Sequence, residues 1–167
     1  MPDFDLKPLH KDSIPAALDK GTRYRLLNES FAAESICLDI LEIDPENQQA
    51  LVLLLLAMTD QFLEGYSVSN KQIQEVLNRI GNDYERTYYS GIAREKRAKA
   101  QLNKNSPGSN FVAYELFRDA MDCYDRAIPM RSEGNDDAIL RWNTCARLIM
   151  RHKLLAKEED KTISLLE

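Results

Sequence analysis

The stretch from residue 17 to residue 45 restricts the fold more than any other part of the chain. Gly21 and Tyr24 recur with other small and apolar residues at helical spacing in its first half. A wider apolar face follows in its second half, made of Phe31, Ala33, Ile36, Cys37, Ile40 and Leu41. Asn28 is expected to cap the second segment, and Pro45 ends it because the residue before a proline avoids the α region. The stretch therefore predicts two short amphipathic helices joined by a tight turn at 27–28.

Four residues in this stretch have a spacing that resembles the tetratricopeptide repeat. In that family a small residue on the first helix is followed three positions later by Tyr, and the second helix carries Ala and ends before a Pro. The matching positions here are Gly21, Tyr24, Ala33 and Pro45, whereas Ala17 stands where the family has a tryptophan. The resemblance implies an all-α fold, a right-handed α-α superhelix of about three and a half antiparallel helical hairpins.

A repeat length of about 34 residues agrees with this resemblance. Leu55 lies 34 positions after Gly21, and Gly91 lies 36 positions after Leu55. In the third hairpin two triplets have the family's spacing of Ala, aromatic and Ala: Ala120, Tyr124 and Ala127, or Ala113, Phe117 and Ala120. The second hairpin has no such pair of small residues, so the register between residues 64 and 120 stays open.

Helical periodicity and breakers predict seven helices. Their expected ranges are 14–27, 29–43, 45–62, 70–80, 84–103, 111–129 and 136–153. Expected caps are Asp44 for the third helix, Ser69 with Gln72 for the fourth, Asn82 or Asp83 for the fifth, and Ser109 or Asn110 for the sixth. Three segments follow from this: an extended arm over 1–12, a helical repeat domain over 13–155, and a charged tail or capping segment over 156–167.

The run from Ala50 to Met58 is apolar on all sides of its predicted helix. Nine residues are about half of the ~18 that span a bilayer, so a membrane-spanning helix is not expected. Neighbouring helices cover two sides of such a segment, and its third side would face the concave surface of the stack. Either the arm over 1–12 or a partner is expected to cover that side.

Composition and charge restrict the class of protein. The net charge of −5 argues against general nucleic-acid binding, which depends on a basic face. Cys37, Cys123 and Cys145 each lie among apolar residues of a predicted helix, which indicates buried free thiols in a reducing compartment. The first residues have no pattern typical of a signal peptide, so a cytoplasmic protein is expected.

Residues with catalytic or metal-binding spacing are absent from the sequence. His10 and His152 stand near opposite ends of the chain, and no phosphate-binding glycine loop is present. We therefore expect no catalytic residue, no metal and no cofactor, and we do not expect an enzyme. The alternative is a small helical enzyme or ligand-binding protein with a pocket near the tyrosines Tyr84, Tyr88 and Tyr89.

The resemblance also implies where a partner would bind. In tetratricopeptide repeats the first helix of each hairpin lines a concave groove, and the residues at those positions here are Leu18, Thr22, Arg25, Val52, Leu56, Thr59, Tyr88, Ile92 and Glu95. This set is mostly apolar and lacks the Lys and Asn pairs with which some family members hold a C-terminal carboxylate. The expected partner is an apolar peptide, an amphipathic helix or a second copy in a homodimer, with neither nucleic acid nor membrane.

Overall fold

The computed structural model describes residues 2–158, so most of the predicted tail over 156–167 lies outside the described residues. Within this range the chain is all-α, with seven α-helices and no strand, as the sequence predicts. The helices are α1 (Ile14–Leu26), α2 (Ser30–Ile43), α3 (Gln48–Asp60), α4 (Asn70–Arg79), α5 (Asp83–Lys104), α6 (Ser109–Ala127) and α7 (Asp137–His152). Short 3-10 helices precede α1 (Lys11–Ser13) and follow α6 (Ile128–Met130).

Two predicted helix caps are confirmed. The Ser69 hydroxyl accepts a hydrogen bond from the backbone N–H of Gln72 at 3.2 Å, and the Gln72 side chain accepts one from the Ser69 N–H at 2.9 Å. Asn82 accepts a hydrogen bond from the Glu85 N–H at 2.9 Å at the start of α5. These contacts satisfy N–H groups that have no partner inside a helix, and therefore both starts lie where local sequence places them.

The two predicted caps nearer the N-terminus are wrong. Asn28 has a φ of 61° and makes the left-handed turn between α1 and α2, so its side chain does not cap α2. Asn47 rather than Asp44 caps α3, since its side chain accepts a hydrogen bond from the Ala50 N–H at 2.9 Å. The Asp44 carboxylate instead accepts one from the Asn47 side-chain amide at 3.1 Å, and α3 begins at Gln48, later than predicted.

The loop before α6 also differs from the expected side-chain cap. Gly108 precedes the helix with a left-handed φ of 80°, a conformation that glycine adopts without steric cost. Ser109 is therefore the first residue of α6 and is buried, rather than the capping residue.

Packing follows the order of the helices along the chain. Each helix contacts its neighbours in sequence, most extensively between α5 and α6, and α3 also contacts both α1 and α5. The core has two parts, one around α3 and one around α6. This arrangement places α1, α3 and α5 side by side, and these three helices carry the candidate site.

Two glycines allow helices to approach closely. A Cβ added to Gly21 would lie 2.8 Å from a methyl carbon of Leu53 on α3, and one added to Gly91 would lie 2.5 Å from the ring of Tyr124 on α6. Real Cβ contacts are not this short, so a side chain at either position would force the residue opposite to it to move. Of the two triplets on α6 that have the family's spacing, the one with Tyr124 therefore supplies the close contact with α5. Phe117 of the other triplet is equally buried.

The arm over 2–10 is extended and mostly exposed. Phe4 and Leu6 are 77% and 85% exposed, and only Leu9 packs against the core around α3. Most apolar residues of the arm therefore do not pack onto the helices.

Candidate functional site

An open cleft of about 410 Å³ lies where α1, α3 and the start of α5 meet. It is lined by Leu18, Asp19, Thr22, Arg25, Gln48, Gln49, Val52, Leu53, Leu56 and Glu85. No residue of the arm is among them, so in this structure the arm does not fill the cleft.

The floor of the cleft comes from the apolar run of α3. The helices of this chain bury every residue from Ala50 to Met58 except Val52 and Leu56, which are half-buried. These two residues are four apart and therefore share one face of the helix, opposite Leu18 and Thr22 on α1. Most of the run is thus covered from within, and the part that remains accessible is the floor of this cleft.

The rim of the cleft carries charge of opposite sign at its two ends. Gln48 and Glu85, at the starts of α3 and α5, mark one end together with Asp19 of α1. Arg25, near the end of α1, marks the other. Among the described residues the carboxylates of Asp19 and Glu85 form no salt bridge, so this end of the cleft is negatively charged.

At the opposite end, one carboxylate connects three helices. Asp60 accepts a 2.7 Å hydrogen bond from Nε of Arg25 on α1 and a further ion-pair contact from Nζ of Lys96 on α5. Burial lowers the pKa of Lys96, and the adjacent Asp60 opposes that effect by stabilising the ammonium. The two cations exceed the single carboxylate by one charge, so this end is positively charged.

The structure brings together five of the nine predicted groove residues in the cleft. These are Leu18, Thr22, Arg25, Val52 and Leu56. Tyr88 is half-buried outside the cleft.

The three others are inside the protein. Thr59, Ile92 and Glu95 are each at most 1% exposed. Ile92 and Glu95 are buried because residues of α6 and α7 pack against that side of α5, whereas Thr59 is buried on α3. They offer no surface to a partner in this structure. The predicted binding surface therefore rests on the residues of α1 and α3.

Glu95 instead forms the centre of a buried polar network that joins α5, α6 and α7. Its carboxylate accepts hydrogen bonds from Lys99 at 2.7 Å, from Arg141 at 3.0 Å and from the Tyr124 hydroxyl at 3.0 Å. The Cys145 thiol lies 3.5 Å from the same carboxylate. A fully buried carboxylate is stable only with such partners, and Arg141 supplies one of them from α7.

The network changes the acidity of the groups around it. Burial raises the pKa of the Tyr124 hydroxyl and of the Cys145 thiol, and the negative charge of Glu95 raises both further. Burial works against the Arg141 charge, but the attraction of Glu95 together with the contacts of Tyr88 and Tyr124 outweighs burial, so the pKa of Arg141 is raised. Both the tyrosine and the thiol therefore remain protonated, so neither is an activated nucleophile here.

Sequence reasoning missed this network because only one of its contacts is local. Glu95 and Lys99 are four apart on α5, a spacing that already indicates an ion pair. Tyr124 and Arg141 are 29 and 46 residues from Glu95, and nothing in the local pattern connects them.

The tyrosines proposed as an alternative pocket pack against one another. The rings of Tyr84 and Tyr88 stack with centroids 5.8 Å apart, and Tyr89 meets Tyr88 edge-on at 5.1 Å. The hydroxyl of Tyr84 accepts a hydrogen bond from the Asn135 amide at 3.1 Å. None of the three tyrosines lines the cleft, and a ligand could enter between them only if the rings moved apart.

Residues 2–158 contain neither a metal site nor a membrane span. No three His, Cys, Asp or Glu side chains in this range are arranged to hold a metal ion. No helix in this range is long and apolar enough to cross a membrane.

Burial raises the pKa of Cys37 to about 12, and Cys37, Cys123 and Cys145 are all free and buried.

Comparison with protein-family models, with curated proteins and with solved structures finds no match to this chain.

Proposed function

We propose that this chain is a protein-interaction scaffold similar to a tetratricopeptide repeat protein, and that it binds a segment of another protein in the cleft between α1 and α3. The observation that carries the proposal is the pair Val52 and Leu56. They are the two residues of an otherwise buried apolar run that stay accessible, and they stay accessible at the floor of an open cleft. The side-by-side contacts of α1, α3 and α5 support the repeat architecture.

The shape and chemistry of the cleft favour a polypeptide over a small molecule. The cleft is open along its length, and its polar groups are spread along the rim rather than converging on one point, as a small-ligand site requires. An apolar floor with a polar rim is typical of surfaces that bind an amphipathic helix or an extended peptide. Each apolar side chain that a partner buries on this floor contributes roughly 1.5–3 kcal/mol before the entropic cost of binding.

The charges at the two ends predict an orientation for the bound segment. Asp19 and Glu85 form no salt bridge among residues 2–158, so a Lys or Arg of the partner would stabilise that end. The end near Arg25 already holds Asp60, and a cation there would meet Arg25 and Lys96. The proposed ligand is therefore a segment with two or three apolar side chains and a basic residue towards Asp19 and Glu85.

Selection from a displayed peptide library tests this proposal. We expect the selected peptides to share apolar residues and a flanking Lys or Arg. A photo-crosslinking amino acid at Thr22, which lines the cleft and is exposed, should then form a covalent adduct with the selected peptide.

Two matched substitutions locate the binding surface. Val52→Lys should weaken peptide binding at least tenfold, whereas Val112→Lys, at an exposed valine of α6 outside the cleft, should leave it unchanged. A library that yields no binder, or a selected peptide whose affinity is the same for wild type and Val52→Lys, would count against the cleft.

A further inference from the structure

The outer side of α2 carries an exposed stripe that is apolar and acidic. Its members, spaced four, three and four residues apart on one helical face, are Phe31, Ser35, Leu38 and Glu42. Phe31 and Leu38 are 70% and 53% exposed. The half-buried Asp39 lies at the edge of the stripe, and α2 contains no Lys or Arg, so this surface is negatively charged.

The outer side of α7 carries a stripe of the same spacing and the opposite charge. Its members are Leu140, Thr144, Arg147 and Arg151, and Leu140 is 62% exposed. Met150 is exposed beside them, and Lys153 follows the helix. This differs from the fully polar outer face expected of a helix that closes a repeat stack.

The charged side chains of both stripes are available for an outside partner. Among the described residues, Asp39, Glu42, Arg147 and Arg151 form no salt bridge and no side-chain hydrogen bond. Since packing follows chain order, α2 lies near the first helix and α7 is the last described helix. Among the described residues α2 and α7 form no extensive contact with each other, so the two stripes do not pair within one molecule.

We propose that copies of this chain associate head to tail, with the acidic stripe of α2 on one copy against the basic stripe of α7 on the next. The partner of each stripe is a second copy of this chain, because every molecule carries both the acidic stripe and the complementary basic stripe. The two stripes are therefore always present at equal concentration. The contact uses neither the cleft nor its ligand.

The equal spacing of the two stripes aligns their side chains when the two helices run in the same direction. Phe31 would then pack against Leu140, and Glu42 would face Arg151. The aliphatic part of Arg147 would cover the second apolar residue of the α2 stripe, while its guanidinium group reaches towards Asp39. Each copy thus contributes two carboxylates or two guanidinium groups to one contact.

The charges also decide the symmetry of this association. A contact of two α2 stripes would bring four carboxylates together, and a contact of two α7 stripes would bring four arginines together, so a two-fold contact between like stripes is repelled. A contact between different surfaces leaves a free stripe at each end. The assembly can therefore grow beyond two chains.

Sedimentation velocity of the full chain over a concentration series tests the proposal. At low salt the weight-average mass should rise above the 19.2 kDa of the monomer as concentration increases. It should fall again at high salt, because exposed charges are screened over about 10 Å at 0.1 M ionic strength. A wild-type mass that stays at the monomer value throughout the low-salt series overturns the proposal.

Charge reversal separates this contact from other modes of association. Asp39→Lys with Glu42→Lys should hold the chain at the monomer mass, and Arg147→Glu with Arg151→Glu should do the same. An equimolar mixture of the two variants should regain association, since each reversed stripe is then opposite a complementary one. The chain that carries all four substitutions should associate by itself for the same reason.

A control variant separates the stripe from net charge. Glu115→Lys with Asp122→Lys changes the net charge by the same amount as the α2 reversal, on exposed positions of α6. It should associate as wild type does. The proposal is overturned if either stripe reversal still associates. It is also overturned if the mixture stays monomeric although circular dichroism shows that both variants are folded.

Discussion

The Tyr124 hydroxyl donates a 3.0 Å hydrogen bond to Glu95, and both side chains are fully buried. The ring of the same tyrosine lies against Gly91, one turn before Glu95 on α5. The ring of one α6 residue thus packs against a glycine of α5, and its hydroxyl donates a hydrogen bond to a carboxylate of the same helix. Both contacts belong to the packing of α6 on α5, the most extensive helix contact among the described residues.

Tyr124→Phe keeps the ring and removes the donor to Glu95. We expect the free energy of unfolding to fall by about 1.5–3 kcal/mol, the range for a buried hydrogen bond to a charged group. Urea denaturation measures it. Tyr114→Phe on the same helix is the control, and it should change stability by less than about 0.5 kcal/mol because the Tyr114 hydroxyl has no hydrogen bond among the described residues.

Glu95→Gln removes the carboxylate with which both Lys99 and Arg141 form an ion pair. We expect a loss of about 1–3 kcal/mol, because Lys99 and Arg141 lose their anionic partner but are 33% and 39% exposed and so remain partly hydrated. Denaturant unfolding of Glu95→Gln, Arg141→Met and the double variant gives the coupling free energy between the two residues. Additive losses would show that the Glu95–Arg141 contact of 3.0 Å contributes no coupling.

Gly91→Ala should destabilise the chain although alanine is the better helix former. The added methyl would lie 2.5 Å from the Tyr124 ring, and overpacking of this kind costs about 1–3 kcal/mol. Thermal unfolding followed by circular dichroism measures the change.

Gly81→Ala is the matched control for that substitution. Its nearest neighbour is the Gln48 side-chain oxygen at 3.9 Å, and its φ is not positive, so we expect equal or slightly higher stability. If Gly91→Ala and Gly81→Ala have the same melting temperature, α5 and α6 do not approach closely at Gly91.

Stability should fall as pH rises above about 8.5, the pKa of an unfolded thiol. Burial raises the pKa of Cys37 to about 12, and Glu34 adds to the shift, so above a pH of about 8.5 the unfolded chain releases a proton that the folded chain keeps. The unfolded state then binds fewer protons, and linkage lowers the free energy of unfolding by up to about 1.4 kcal/mol per pH unit for this one group.

Urea unfolding between about pH 8 and about pH 11 measures this dependence. In Cys37→Ala the slope should be smaller by the contribution of one thiol, whatever the variant costs in absolute stability. If the free energy of unfolding changes with pH equally in wild type and Cys37→Ala, the Cys37 thiol has the same pKa in the folded and the unfolded chain.

Local sequence information was enough to predict the secondary structure. Every described α-helix overlaps a predicted range, although the 3-10 helix Lys11–Ser13 overlaps the arm that was predicted to be extended. The capping box of Ser69 with Gln72 lies where the sequence places it, because such contacts join residues three apart. The start of α3 was missed because two neighbouring side chains, Asp44 and Asn47, could each serve as the cap. Their own hydrogen bond, which leaves Asn47 as the cap, belongs to the folded turn.

The candidate site was only half predictable. The resemblance to the tetratricopeptide repeat implied the cleft residues of α1 and α3, and Val52 and Leu56 share a face because they are four apart on one helix. Ile92 and Glu95 follow the same spacing but are buried, because α6 and α7 cover that side of α5. Periodicity identifies the residues that share a face, whereas the helix that packs on that face is set by contacts distant in sequence.

The sequence by itself determined an all-α chain, the positions of its seven described helices and an apolar segment too rich in leucine to be left in water. The tertiary structure alone decided which two residues of that segment remain accessible and which carboxylate is buried. It also decided that Phe31 and Leu38 on α2 and Leu140 on α7 stay exposed rather than packing against another helix of the chain. The reason is physical: backbone hydrogen bonds and caps are made within a few residues, whereas burial and charge pairing join residues tens of positions apart.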